Sequence, residues 1–144
     1  MVSLETIGYY CDEPGSQRYP PLFGLFYPDK ANFIGLVSDF LSRHMMLRFA
    51  QSFRAGSDFP AEHIATLRWV PGVAWSDHLS FWRLGYRALM VTDTAFYRYP
   101  YYHSAEDTRE KLVFLQLARV TDGLFRALAR RRRALIAQGD SLGP

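Results

Sequence analysis

Three separated blocks hold the residues whose chemistry goes beyond packing. Ser76-Asp77-His78 opens an apolar segment, Tyr102-His103 ends an aromatic loop just before Asp107-Thr108, and Glu5 stands inside the apolar stretch at the N-terminus. A carboxylate in an apolar strand is costly unless it is paired, metal-bound or turned to solvent, so Glu5 is either a ligand or a member of an exposed edge strand. Asp77 has the place of a helix N-cap, and a histidine such as His103 on a loop is ordinarily a surface or hydrogen-bonded residue. Ser76 and His78 are two positions apart, where side chains on a turn diverge, so a serine triad is not expected. His44 and His63 lack an acid at metal-ligand spacing, and no glycine-rich phosphate loop is present.

The order and spacing of the blocks narrow these alternatives. Ser76-Asp77-His78-Leu79-Ser80-Phe81, then Gly85-Tyr86-Arg87-Ala88, then Tyr102-His103-Ser104-Ala105-Glu106-Asp107-Thr108, together with Leu4-Glu5-Thr6-Ile7-Gly8-Tyr9, resemble the C-terminal part of the co-catalytic di-zinc exopeptidases. That family includes the bacterial leucyl aminopeptidases and, more distantly, glutamate carboxypeptidase and glutaminyl cyclase. Thr6 stands where the family usually has Met. The resemblance implies a peptidase-like α/β fold and two zinc ions sharing a bridging water. It implies that Glu5 is a ligand of one zinc, that His103 is a ligand of the other, and that Asp77 is a buried polar residue beside the metals. It also implies a peptide or aminoacyl substrate whose apolar pocket Phe96 and Tyr102 are placed to line.

The resemblance runs from Leu4 to about Leu128 and covers only the second half of the family's catalytic domain. The His-x-Asp block, the bridging Asp and the Glu-Glu pair of the first half have no counterpart in this sequence, and no general base is assigned within it. A catalytic zinc takes three protein ligands, so the chain is expected to be inactive alone and to have the missing N-terminal half as its partner. The alternatives are a stand-alone, non-catalytic domain that binds, and a relative of glutaminyl cyclase.

These residues need a frame, and short apolar runs alternating with helical periodicity predict an α/β one, a partial three-layer α/β/α sandwich. Strands are expected near Val2–Tyr9, Asn32–Ser38, His63–Val70 and Arg87–Val91. Helices are expected near Ser42–Arg54, capped by Ser42, and His78–Leu84, closed by Gly85. A third is expected from Thr108 to about Ile136. Asp107-Thr108-Arg109-Glu110 has the form of a capping box for that last helix, with Leu117, Val120, Leu124 and Leu128 as its core stripe. Cys11 to Lys30, rich in turn formers and prolines, reads as a loop pinned by Tyr19, Phe23, Phe26 and Tyr27. Residues 1–138 form one domain, followed by a loose tail over 139–144.

Composition agrees with a packed domain. The 144 residues are 49% hydrophobic and 16% aromatic, which excludes a disordered chain. No apolar run approaches a membrane span, and no signal-peptide pattern opens the sequence. The single cysteine, Cys11, excludes an intrachain disulfide. The net charge of +3 owes much to Arg130–Arg133, read as a solvated turn complementing the dipole at the end of the last helix. The basic residues are not interleaved with aromatics, so no nucleic-acid partner is expected.

Overall fold

The computed structural model describes residues 1–140 and, within the last helix, side chains up to residue 132. Four strands form one mixed sheet: β1 (Val2–Glu5), β2 (Ile34–Ser38), β3 (Ala61–Ala65) and β4 (Leu89–Thr92), in the order β1-β4-β2-β3. The outer pairs, β1 with β4 and β2 with β3, are parallel, and the central pair β2–β4 is antiparallel. Three helices pack on the sheet: α1 (Arg43–Arg54), α2 (His78–Arg83) and α3 (Phe114–Asp140). The α/β architecture read from the alternation of apolar runs is the one observed.

Side-chain alternation along each strand divides the sheet into two faces. On one face Ile34, Leu36, Ala61, Leu89 and Val91 meet Met46, Phe49, Ala50 and Phe53 of α1 and Val120, Leu124 and Ala127 of α3. On the other, Val37 packs with Val70, Val73 and Ala88, and with Leu79 and Trp82 of α2. The Ser3 and Ser76 hydroxyls, 2.8 Å apart, tie the segment before α2 to the sheet. Among the described residues no helix is long and apolar enough to cross a membrane.

Several local expectations are corrected. The first strand stops at Glu5, because Thr6 turns into the left-handed region at φ 38°. The third strand lies earlier than expected: Thr66 is the last residue tied to β2, through its N–H to Ser38 O, and residues 67–75 leave the sheet as turns. Ser42 does precede α1, but its hydroxyl accepts from Ala88 N at 3.2 Å and makes no cap bond. The Asp107–Glu110 box starts only a single 3-10 turn, Arg109–Lys111. Its Asp107 carboxylate accepts instead from the Tyr99 hydroxyl at 2.7 Å. Leu112 is then extended, and Val113 N donates to Gly8 O at 2.9 Å, so α3 begins only at Phe114. Docking onto the exit of β1 wins over local capping.

The core stripe of α3 is Val120, Leu124 and Ala127, while Leu128 is exposed. The helix continues to Asp140, so Arg130 to Arg132 lie within it rather than in its last turn. Residues 139 and 140 of the expected tail are thus helical, and 141–144 lie outside the described residues. Phe26 is also exposed, although Tyr19 and Tyr27 anchor their loop by donating to Pro28 O and His63 O.

Candidate functional site

Parallel pairing of β1 and β4, with Glu5 opposite Thr92, brings both C-terminal ends to one rim of the sheet. The rim is held by Asp93, a fully sequestered carboxylate. Its Oδ2 accepts from Gly8 N at 3.0 Å and Tyr9 N at 2.9 Å, and its Oδ1 accepts from Ala95 N at 3.0 Å. Its own N–H donates to Thr6 O at 2.7 Å. Charge-assisted bonds of this kind are about twice as strong as neutral ones.

Beyond Asp93 the backbone is strained. Thr94 and Ala95 adopt φ 74° and 46°, and Thr6 across the rim and His103 in the following loop adopt 38° and 57°. Left-handed backbone at β-branched threonine is rare, and such residues persist only where surroundings over-determine them. Here Thr94 N donates to Thr92 Oγ1, and the Thr94 hydroxyl meets Gln17 Oε1 at 3.1 Å. Gln17 Oε1 also accepts from Arg98 Nε at 2.8 Å. Arg98 is itself buried and donates from Nη1 to Phe33 O and Ala31 O. Burial lowers its pKa to about 10, so it remains a cation at neutral pH. The sequence marks Thr92-Asp93-Thr94 as the exit of an apolar strand, at the edge where open α/β sheets place their sites, but gives Asp93 no role there and carries no local signal for Arg98.

Above this rim, on the sheet face away from α1 and α3, lies a cleft of about 110 Å³. Its floor is one row of the sheet: Glu5 opposite Thr92, Thr92 opposite Gly35, Gly35 opposite Glu62. Gly35 keeps that floor low, since a Cβ there would sit 3.2 Å from Thr92 O. Its walls include Tyr19, Phe23, Tyr27, Trp75, Phe96 and Tyr102. Trp75 stacks on Phe96 with centroids 5.2 Å apart, and Phe96 meets Tyr102 at 6.0 Å.

The residues singled out from sequence divide as follows. Glu5, Phe96 and Tyr102 line the cleft. Burial, then the Glu5 and Asp93 carboxylates, raise the pKa of the Tyr102 hydroxyl. His103 is exposed in the same loop, its ring 4.0 Å from that of Tyr102. Asp77 is not buried as the resemblance implied: it is exposed at the start of α2. The buried face of that helix is carried by His78 and Trp82, four positions apart and so on one side. His78 Nε2 lies 2.7 Å from Val73 O, which makes it the protonated nitrogen, and the ring edge meets Trp82 at 4.4 Å. Burial, opposed in part by the Val73 bond, lowers the His78 pKa. His44 is exposed, and His63 Nδ1 faces Arg54 at 3.1 Å. Among the described residues no group of three or more His, Cys, Asp or Glu is placed to hold a metal.

No protein-family model matches the chain. Over 129 residues, 89% of its length, the chain is 37% identical to "Uncharacterized protein YfbL" of Escherichia coli (strain K12). It spans only 40% of that relative's length, so it is similar to one part of a longer protein.

Proposed function

We propose that this chain is the C-terminal part of a di-zinc exopeptidase domain, with Glu5 a ligand of one zinc and His103 a ligand of the other. The observation that supports it most is the cleft itself: Glu5 and Tyr102 both line it, and His103 follows Tyr102 in the chain. Backbone strain at Thr6, Thr94 and Ala95 lies at the exits of β1 and β4, as it does at functional sites. The donor set of the described residues does not complete a metal site, so the remaining ligands and the general base would come from polypeptide outside this chain. Zinc, when bound, supplies a polarised carbonyl and a nucleophilic water near neutral pH.

The chain's own residues contribute binding and position. Glu5 stands at one end of the row that floors the cleft, and the Asp93 clamp fixes the backbone that follows it. Phe96 and Tyr102, backed by Trp75, offer apolar surface to a peptide or aminoacyl substrate and keep water from it.

The test compares zinc content and aminoacyl-anilide hydrolysis for the chain alone and for the chain joined to the complementary N-terminal half of such a domain. The chain alone is expected to be inactive and the joined protein active, with His103→Ala and Glu5→Gln each losing zinc and rate. His44→Ala, on an exposed position, is the control. Two zincs and full activity in His103→Ala would reject the assignment.

A further inference from the structure

Glu62 gives the cleft a second, unassigned polar end. It lies in the same cross-sheet row as Glu5 and on the same face, with Thr92 and Gly35 between them. Three strand steps separate the two carboxylates, roughly 14 Å at the usual spacing. Glu62 lines the cleft, is half-buried, and has no ion-pair or hydrogen-bond partner among the described residues. Its charge reaches the aromatic walls: burial is the first cause raising the Tyr19 and Tyr27 pKa values, and the Glu62 charge adds to both, while at His63 it opposes the lowering by burial and Arg54. An unpaired carboxylate at the end of an aromatic trough is costly to desolvate unless a cation arrives with the ligand.

We infer that the cleft takes a ligand with a cation at the tip of a short apolar chain, the layout of a lysine or arginine side chain, and that Glu62 receives the cation. The methylene stem lies across Thr92 and Gly35, where Gly35 leaves room, and the aromatic walls cover it. Aromatic faces and a carboxylate favour the same cationic tip, so the two terms reinforce each other. A neutral isostere leaves Glu62 desolvated and unpaired, which is how a polar site discriminates strongly. This inference uses the cleft of the exopeptidase reading but not its metals. In that reading Glu62 selects substrates with a basic side chain.

The experiment is calorimetric titration of the chain, without metal, with the Nα-acetyl amides of L-arginine and L-lysine and of the neutral isostere L-citrulline, so that the side chain carries the only cation. The two cationic probes should bind roughly tenfold more tightly than the citrulline amide, the effect of one hydrogen bond to a charged group. Glu62→Gln should bring all three to the same affinity. A Gly35→Val variant, which fills the floor, should weaken all three probes together. Equal affinities in the unaltered chain, discrimination that survives Glu62→Gln, or no binding at millimolar probe would each overturn the inference. Because no step depends on zinc, such a failure leaves the metal assignment to its own test, and loss of that assignment leaves this result standing.

Discussion

The Asp93 carboxylate holds the backbone of Gly8, 85 positions away in sequence, at 3.0 Å. Tyr9 N, at 2.9 Å, shares the same oxygen, so the exits of β1 and β4 are one hydrogen-bonded unit. The geometry of Glu5 therefore depends on a residue at the end of another strand.

Asp93→Ala removes the acceptor for Gly8, Tyr9 and Ala95 together. Leaving those donors unpaired should cost roughly 3–5 kcal/mol. Asp93→Asn keeps one oxygen and should cost roughly half as much. Urea unfolding followed by circular dichroism measures both, and a loss below about 1 kcal/mol for the alanine variant would contradict the clamp.

The fold was largely legible and the site only partly so, for a physical reason. Strands and helices follow from local apolar periodicity, and Leu89-Met90-Val91 or Phe49 and Phe53 declare themselves within a few residues. The false start of the last helix shows the limit. Asp107 has a local use as a cap, but Tyr99 takes it, and Gly8 pulls Val113 into an extended bond. Both competitors are remote in sequence. The same holds for Glu62, whose importance rests on lying in one row with Glu5 through two intervening strands.

Acid should weaken the fold through two histidines, the buried His78 and the half-buried His63. Burial lowers the His78 pKa below its ordinary 6.5, and burial together with Arg54 lowers that of His63. The folded state therefore favours the neutral rings. Their stabilising contribution is complete above pH 6.5 and is lost as pH falls through the lowered folded values. Unfolding free energy should be level above about pH 7 and decline below 6.5. With His78→Gln and His63→Gln combined, the decline that sets in below pH 6.5 should vanish. An unchanged slope in that variant would place the titration elsewhere.

The isolated chain should self-associate. Phe114, Leu115, Phe125 and Leu128 on α3 are between 50% and 71% exposed. Leu4, 56% exposed, sits on β1, whose outer edge has no partner strand among the described residues. Apolar faces and open strand edges of this kind invite association. Light scattering should give a mass above 16.6 kDa that falls when Phe125 and Leu128 are both replaced by Glu. A stable monomer at high concentration would show these surfaces to be tolerated in water.

Gly123 tests how tightly α3 is seated on α1. Glycine inside a helix is unfavourable, and alanine there would ordinarily stabilise by about 1 kcal/mol. At this position, however, a Cβ would stand 2.6 Å from Phe53 Cε2, 2.8 Å from Phe53 Cζ and 2.9 Å from Ser57 Cβ. Phe53 is fully buried in the core, so its ring has no free rotamer into which to retreat. The helices must then separate or the ring must leave its rotamer, and overpacking of this kind costs roughly 1–3 kcal/mol. The steric term offsets or exceeds the propensity gain, so Gly123→Ala should not stabilise the chain and should destabilise it by up to about 2 kcal/mol. Adding Phe53→Leu, which removes the ring that the methyl group meets, should recover part of that loss although the second change alone opens a cavity. A double-mutant cycle from thermal unfolding measures the coupling directly. If Gly123→Ala raises the melting temperature, or the two substitutions are additive, the close approach of α3 to Phe53 is not what fixes the helix on the sheet.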